Sequence, residues 1–218
     1  MYVKYVKRIL DFMLSLVALT ILFPFLLIIA VIIKIDSPGP VFFKQKRIGI
    51  NKKHFNMLKF RTMRTDAPSD VPTHLLSNPE KYISRIGRIL RKTSGDELPQ
   101  LINTLNGSMS LIGPRPALWN QYDLVEERDK YGANAVRPGV TGWAQINGRD
   151  ELPIEIKAKY DGEYIKKVSF LFDCKCLFGT ILAVVRSDGV VEGGTGRIAK
   201  EKITRPAGEP GKKKTVKK

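Results

Sequence analysis

The sequence predicts an α+β, mainly helical protein: a kinked, re-entrant N-terminal membrane helix, followed by interfacial helices and a small β-hairpin. Three observations predict this class. The run Ile9–Ile33 is almost entirely apolar, and several later segments repeat apolar residues at helical spacing. Two short strand-like runs also flank a turn at Gly49–Lys52.

The N-terminal run is the expected membrane anchor. Its only charged residue is Asp11, and as a helix it would be about 37 Å long, enough to cross a hydrocarbon core of about 30 Å. Pro24 deletes a backbone hydrogen bond and is expected to kink the helix. Basic residues flank both ends and draw both to the cytoplasmic side. They are Lys4, Lys7, Arg8, Lys34, Lys44, Lys46 and Arg47. A re-entrant helix satisfies both facts, although a kinked helix that spans the membrane stays open.

The chain divides into three expected regions: the re-entrant anchor at 1–36, a cytoplasmic catalytic domain at 37–200 and a basic, disordered tail at 201–218. The formal charge of +16, from 37 basic and 21 acidic side chains, favours a polyanionic partner: nucleic acid, an anionic membrane or a phosphorylated substrate. Cys174 and Cys176 are too few and too close for a disulfide framework. They fit a reducing compartment, and no zinc site is expected.

Local patterns predict the elements of the globular region. Val41–Phe43 and Phe55–Leu58 form the hairpin. A helix begins at Asn78, with Pro79 in its first turn. It carries a basic stripe that is either a solvated face or a surface for anionic headgroups. The stripe consists of Lys81, Arg85, Arg88 and Lys92.

A second helix is expected to begin at Asp96–Glu97, because Pro99 must lie in the first turn and apolar residues follow at helical spacing. Gly107 ends this helix. The remaining elements are glycine- and proline-rich loops at 113–116 and 137–143, a polar helix at Trp119–Lys130 and a final apolar helix at Phe170–Val185.

The adjacent carboxylates of the second helix are the most informative feature for chemistry. The positive end of a helix would keep Asp96 deprotonated and able to attack phosphorus. Glu97 could hold a divalent metal that screens phosphate oxygens. Arg91 and Arg115 are candidate phosphate ligands, because guanidinium binds phosphate through two bonds. Alternatively, acids in a first turn serve only as caps, and Arg115 is a structural arginine.

Four runs occur in a fixed order behind the anchor: Lys59–Met63, Asp96–Gln100, Ile112–Pro116 and Arg137–Arg149. With them, the chain from Val3 to Gly189 resembles the small monotopic bacterial phosphoglycosyl transferases. These form the catalytic unit shared by undecaprenyl-phosphate sugar phosphotransferases. The stretches Pro116–Gln121 and Phe172–Cys176 further resemble the galactose-type branch.

The resemblance implies a magnesium-dependent transfer of a phosphosugar from a UDP-sugar to a polyprenyl phosphate, with release of UMP. The reaction would occur at the cytoplasmic face of the inner membrane, as the first membrane step of exopolysaccharide or capsule assembly. By position, Asp96 matches the nucleophile, which forms a covalent aspartyl-phosphosugar, Glu97 matches the metal ligand, and Asp173 matches an acidic residue near the site. The expected substrate contacts are Lys59, Arg91, Pro114, Arg115 and Arg149.

Three other interpretations compete with this one. Direct attack by the lipid phosphate, with Asp96 as a base or metal ligand, would give the same overall reaction. A membrane-tethered nucleic-acid binder would suit the charge, but it requires interleaved aromatic and basic residues that this sequence lacks, so no nucleic-acid partner is expected. A catalytically inactive scaffold is disfavoured, because both carboxylates are present. The pattern does not identify the sugar, nor whether the chain forms a homodimer.

Overall fold

The computed structural model describes residues 2–67, 79–148 and 152–185, so the predicted tail at 201–218 lies outside the described residues. Helix α1 (Lys7–Asp36) follows a π-helical turn and continues through Pro24. Among the described helices it is the one long and apolar enough to cross a membrane. The predicted apolar N-terminal helix is therefore confirmed, whereas the kink at Pro24 stays a prediction.

Both ends of α1 pack closely on the globular domain, whereas the stretch between them is at most partly buried, as at Leu26 and Ile29. Near the start, the guanidinium of Arg8 donates to the carbonyl of Leu105 at 2.7 Å. Near the end, Ile33 is 1% exposed and packs in a cluster with Phe60. Between Leu16 and Ile32 no residue of the helix is buried. An apolar middle that the protein leaves uncovered is expected to lie in lipid.

The predicted hairpin is confirmed, and its strands extend beyond the predicted runs. Strands β1 (Phe42–Ile48) and β2 (His54–Phe60) pair in antiparallel register, with Phe42 opposite Phe60 and Ile48 opposite His54. The turn contains Asn51 and Lys52 in the left-handed region, at φ 53° and 61°. Asparagine is one of the residues that tolerate this region best.

Helix α2 (Arg85–Lys92) begins later than the sequence predicted. The predicted start at Asn78 lies outside the described residues, and Pro79–Lys81 form only a 3-10 turn. The chain is then extended, because the backbone N–H of Ser84 donates to the carbonyl of Thr62 at 3.0 Å. The Ser84 hydroxyl caps the helix by accepting a backbone N–H three residues on, at 3.0 Å. The basic stripe is exposed, which fits both of its interpretations.

The second predicted helix also begins later. Gly95–Glu97 form a separate 3-10 turn, and helix α3 (Gln100–Leu105) starts only after Pro99. Pro99 has a helical φ of −61°, and its missing N–H suits the start of a helix. Asp96 and Glu97 therefore precede α3 and do not lie at its N-terminus, which corrects the expectation from sequence.

A short parallel pair lies within the two loops that were predicted to be irregular. Strand β3 (Ser110–Ile112) pairs with strand β4 (Gly139–Thr141), and helix α5 (Trp143–Ile146) follows. The backbones approach so closely that a Cβ on Gly139 would lie 2.1 Å from the nitrogen of Gly113. Strands of three residues carry no alternating pattern, so the sequence could not reveal them.

Three helices complete the described chain: α4 (Tyr122–Asp129), α6 (Ile154–Lys167) and α7 (Phe170–Val185). The bounds of α7 are those predicted. Helix α4 begins after the predicted Trp119, because the backbone of Gln121 is not helical, and α6 was not predicted. Arg128 and Asp161, which are 3% and 1% exposed, join α4 to α6 by an ion pair of 2.6 Å.

Gly87 of α2 lies too close to the segment after β2 for alanine to fit. A Cβ there would lie 2.1 Å from the carbonyl oxygen of Thr62. Alanine favours a helix over glycine by about 1 kcal/mol, but overpacking against backbone costs about 1–3 kcal/mol or more. We expect Gly87→Ala to lower the thermal unfolding midpoint in detergent by roughly 4 °C.

Gly179→Ala in α7 is the matched control for this prediction. The nearest atom to its Cβ would be the end of the flexible Ile146 side chain, at 2.9 Å, which can move at little cost. The control should shift the midpoint by less than about 2 °C. Equal midpoints for Gly87→Ala and wild type would contradict the close packing of α2.

Candidate active site

Asp96 and Glu97 lie side by side in the turn between α2 and α3. Asp96 is 8% exposed, and within the described residues its carboxylate accepts no hydrogen bond and forms no ion pair. The chain enters this turn through Ser94, whose backbone is left-handed at φ 56° and ψ 18°. Such a conformation costs a residue other than glycine about 1 kcal/mol or more. Local strain thus accompanies the carboxylate pair.

Two cations from distant parts of the chain hold Glu97. Arg115 lies across the carboxylate, with Nη2 2.6 Å from Oε1 and Nη1 3.2 Å from Oε2. Lys59, on β2, places Nζ 2.8 Å from Oε1. All three side chains are at least partly shielded from water. We call Glu97, Arg115 and Lys59 the Glu97 clamp. It joins the turn, the hairpin and the loop at 113–116.

The two carboxylates have opposite pKa shifts. Burial raises the pKa of Asp96; the attraction of Lys59 opposes this shift, and the repulsion of Glu97 adds to it. Burial also acts to raise the pKa of Glu97, but Arg115 and Lys59 outweigh it and hold that pKa well below its ordinary value. Burial therefore acts on the pKa of Asp96 in the direction opposite to that expected from a helix end, because α3 begins only at Gln100. That Asp96 is deprotonated stays a prediction.

The other predicted contact residues have different positions. Arg91 donates from Nε to Thr62 Oγ1 at 2.8 Å, and its charge acts to lower the pKa of Asp96. Pro114 instead supports its loop, since its carbonyl accepts the N–H of Gly139 at 2.9 Å. Arg149 lies outside the described residues. The structure therefore gathers Lys59, Arg91 and Arg115 around the two carboxylates.

Strand β1 holds the loop that carries Arg115, a role that the sequence did not reveal. The Arg47 guanidinium donates to the carbonyl of Pro116 at 2.9 Å and to Gln45 Oε1 at 2.6 and 3.1 Å. The N–H of Ile48 donates to the carbonyl of Ala117 at 2.9 Å. The sequence showed only a basic residue after the anchor, because the acceptor of Arg47 is 69 positions away.

Asp173 belongs to a different cluster from the two carboxylates. It is 7% exposed and accepts hydrogen bonds from Tyr2 at 2.6 Å, Lys7 at 2.7 Å and Tyr164 at 2.7 Å. Burial raises the pKa of the Tyr164 phenol, and the negative charge of Asp173 raises it further. The phenol therefore keeps its proton and donates it in the hydrogen bond to Asp173. Asp173 thereby ties the start of the chain to α6 and α7.

The oxygen atoms of the Asp96 and Glu97 carboxylates are suitable ligands for magnesium. In residues 2–67, 79–148 and 152–185, no group of three or more His, Cys, Asp or Glu side chains could hold a metal. Magnesium commonly takes only one or two carboxylates, together with water and substrate phosphates. The lone pairs of Asp96 have no partner in the described chain, and Glu97 Oε2 accepts a single bond there, of 3.2 Å. An ion shared with a bound phosphate could use these oxygens.

Comparison with known proteins identifies the class to which this fold and site belong. Residues 2–187 match the family described as "Bacterial sugar transferase", and the chain belongs to this family. The match confirms the resemblance to the phosphoglycosyl transferases and the prediction of a sugar-phosphate transferase.

Named relatives resemble the chain over most of its length. EpsL of Bacillus subtilis, named an uncharacterized sugar transferase, is 38% identical over 91% of this chain and 95% of its own length. The exopolysaccharide production protein PSS of Rhizobium leguminosarum is 43% identical over 81% of this chain and 94% of its own length. UDP-glucose:undecaprenyl-phosphate glucose-1-phosphate transferase of Escherichia coli is 40% identical over 82% of this chain but only 40% of its own length. The chain thus spans less than half of some relatives.

Neutralising the two carboxylates should change the stability of the ligand-free protein in opposite directions. Glu97→Gln removes the anion that compensates Arg115 and Lys59, so we expect a loss of about 2 kcal/mol, or roughly 4–8 °C in the unfolding midpoint. Asp96→Asn removes a buried charge without a bonded partner and should raise the midpoint. Thermal denaturation in detergent at pH 7 measures both changes.

The pH dependence of stability provides a second measurement. The folded pKa of Glu97 lies well below its ordinary value of 4.5. Its contribution to stability is therefore complete above about pH 5 and is lost as the pH falls through the folded pKa. The difference between wild type and Glu97→Gln should narrow on acidification. A difference that does not change with pH would contradict the Glu97 clamp.

Proposed function

We propose that this protein transfers a sugar-1-phosphate from a UDP-sugar to undecaprenyl phosphate at the cytoplasmic face of the bacterial inner membrane. The relatives in Escherichia coli and Xanthomonas campestris are named for this reaction with glucose. Relatives named for exopolysaccharide production support a role in surface glycan assembly. The uncovered apolar middle of α1 would keep the site beside a lipid acceptor.

One observation carries the proposal: Asp96 is a buried carboxylate without a bonded partner in the described chain, beside a carboxylate that binds two cations. A buried unpaired anion lowers stability. Proteins retain such groups mainly where chemistry requires them. An acid that served only as a cap would instead accept backbone N–H groups. Asp96 has lone pairs available for attack.

In the proposed first step, an oxygen of Asp96 attacks the phosphorus atom that bears the sugar. A new oxygen–phosphorus bond forms, and the bond from this phosphorus to the oxygen bridging the two phosphates breaks, so UMP leaves with the electron pair. In the second step, an oxygen of the lipid phosphate attacks the same phosphorus. The Asp96 carboxylate then leaves, which restores the enzyme and releases the lipid diphosphate sugar.

The surrounding cations suit this exchange of anions. Arg115 and Lys59 are held near Asp96 by Glu97, and the charge of Arg91 also acts on Asp96. Their positive charges would bind the diphosphate of the donor and stabilise charge on its oxygens. Glu97, with Asp96 beside it, is the residue expected to hold magnesium. When bound, the ion would neutralise phosphate oxygens that otherwise repel the attacking carboxylate.

The packing of α1 supports the re-entrant topology over a spanning one. A straight helix of its 30 residues would be about 45 Å long, yet its first and last turns both contact the same globular domain. A helix that crossed the bilayer would carry its two ends to opposite sides. We therefore propose that α1 enters and leaves the membrane on the cytoplasmic side.

The resemblance to the galactose-type branch stays a prediction. Relatives are named for glucose and, in Aeromonas hydrophila, for N-acetylgalactosamine, so the galactose-type expectation from Pro116–Gln121 is untested. The expected absence of a nucleic-acid partner is also untested, and so is the formation of a homodimer. Turnover with a panel of UDP-sugars would identify the donor.

A covalent intermediate predicts a burst of UMP in the absence of lipid acceptor. Purified protein mixed with magnesium and UDP-sugar should release about one UMP per active site, and intact-protein mass spectrometry should show one added phosphosugar. Asp96→Asn should abolish the adduct and lower turnover by roughly a thousandfold or more. Peptide mapping should locate the adduct on Asp96.

Asp129→Asn is the matched control, because Asp129 is exposed and pairs with Lys52 at 2.5 Å, away from the carboxylate pair. It should retain both the burst and the adduct. Direct attack by lipid phosphate predicts a different outcome: no adduct in wild type, and no UMP until the lipid is added. That result, with an active Asp96→Asn, would remove the assignment of the nucleophile.

Membrane topology has its own test. Val6→Cys and Ile35→Cys each place a thiol at an exposed position near one end of α1, in a background with Cys174 and Cys176 changed to alanine. A re-entrant helix predicts that a membrane-impermeant maleimide added to spheroplasts labels neither position. Both should react after the membrane is permeabilised. Labelling of one position in intact spheroplasts would show a spanning helix.

A further inference from the structure

We infer that a groove beside the first turn of α1 binds the phosphate headgroup of a bilayer glycerophospholipid that is not a substrate. The groove lies between the start of α1, the segment 135–137 and the end of α6, is open to solvent and has a cavity volume of about 80 Å³. Its lining is mostly apolar, with Val3, Ile50, Ile112, Val136, Ile165 and Val168. An acyl chain would suit these walls.

Two arginines in the wall give the groove its charge. Arg8 donates to the carbonyls of Thr104 and Leu105, and Arg137 Nε donates to the carbonyl of Gly107 at 2.9 Å. They lie close together, because a Cβ on Gly107 would be 3.2 Å from Arg8 Nη2. Within the described chain, neither arginine pairs with a carboxylate. Two neighbouring guanidinium groups with only neutral partners favour a phosphate.

The nearby acids are already engaged elsewhere. Asp11 also lines the groove, but it accepts a hydrogen bond from Ser110 at 2.6 Å and lies 3.8 Å from Lys7. Lys7 itself binds Asp173 at 2.7 Å. The cations outnumber these acids even when Lys7, Asp11 and Asp173 are all included, so the groove stays positive overall. An anion with an apolar chain therefore matches both its charge and its walls.

Position separates this groove from the site of the lipid substrate. The backbone from Asp96 to Gly107 is mostly helical, and a rise of about 1.5 Å per residue places Gly107 roughly 16 Å from Asp96. An acceptor phosphate that reacts at Asp96 cannot bind these arginines at the same time. The groove instead adjoins the start of the membrane helix, where the headgroups of the surrounding bilayer lie. The inference depends on that membrane location and not on the reaction.

Native mass spectrometry of the full chain in a mild detergent, titrated with dioctanoyl phosphatidylglycerol, tests the groove. Wild type should bind one lipid more tightly than the rest, and Arg137→Gln should weaken this binding by about tenfold. Val3→Glu, which adds a negative charge at an exposed position of the lining, should weaken it too. Lys130→Gln removes one positive charge, as Arg137→Gln does, at an exposed position just after α4 that lies outside both the groove and the basic stripe, and it should leave binding unchanged.

Several results would overturn the inference. One is equal binding by wild type, Arg137→Gln and Val3→Glu; another is a weakening by Lys130→Gln as large as that by Arg137→Gln. Displacement of phosphatidylglycerol by one equivalent of farnesyl phosphate would assign the groove to the lipid acceptor instead. Asp96→Asn should bind phosphatidylglycerol like wild type. This binding can therefore stand even if the proposed transfer reaction fails its own test.

Discussion

The interaction between Glu97 and its two cations is the contact on which the rest of the site depends. Arg115 comes from a loop after β3 and Lys59 from β2, and the Glu97 carboxylate binds both at the same turn. Because Glu97 satisfies these cations, its neighbour Asp96 is left buried without a bonded partner in the described chain. One carboxylate thus supports the structure so that the other can react.

Much of the remaining fold serves to hold this contact in place. The hairpin supplies Lys59 on one strand, while Arg47 on the other fixes the carbonyl next to Arg115. The parallel pair β3–β4 sets the start of that same loop, because the backbones at Gly113 and Gly139 lie too close for side chains. Short strands suffice here because each is braced by an element distant in sequence. Rigid support of this kind is what a preorganised charged site requires.

Three elements with a clear local pattern could be predicted from the sequence. The apolar runs predicted α1 and α7, and two strand-like runs around a turn predicted the hairpin. The motifs also predicted that Asp96 and Glu97 would meet basic residues. The helix starts could not be predicted, because a backbone bond between Ser84 and Thr62 keeps the chain extended where local signals favour a helix. The burial that raises the pKa of Asp96 could not be predicted either, because burial is a tertiary property. The partners of Asp173 lie too far along the chain for any local signal.

The attachment of α1 at both ends means that this helix is part of the folded domain rather than a tether. Cleavage after Asp36 would uncover the cluster around Phe60 and leave Asp173 without the ammonium of Lys7. The remaining polypeptide would expose apolar surface around Phe60, and the Asp173 carboxylate would lack its counter-ion. Replacing α1 by the corresponding helix of a relative would therefore succeed only if that helix has the same residues at the few positions, near its two ends, that contact the globular domain. Hydrophobicity and length alone would not be sufficient.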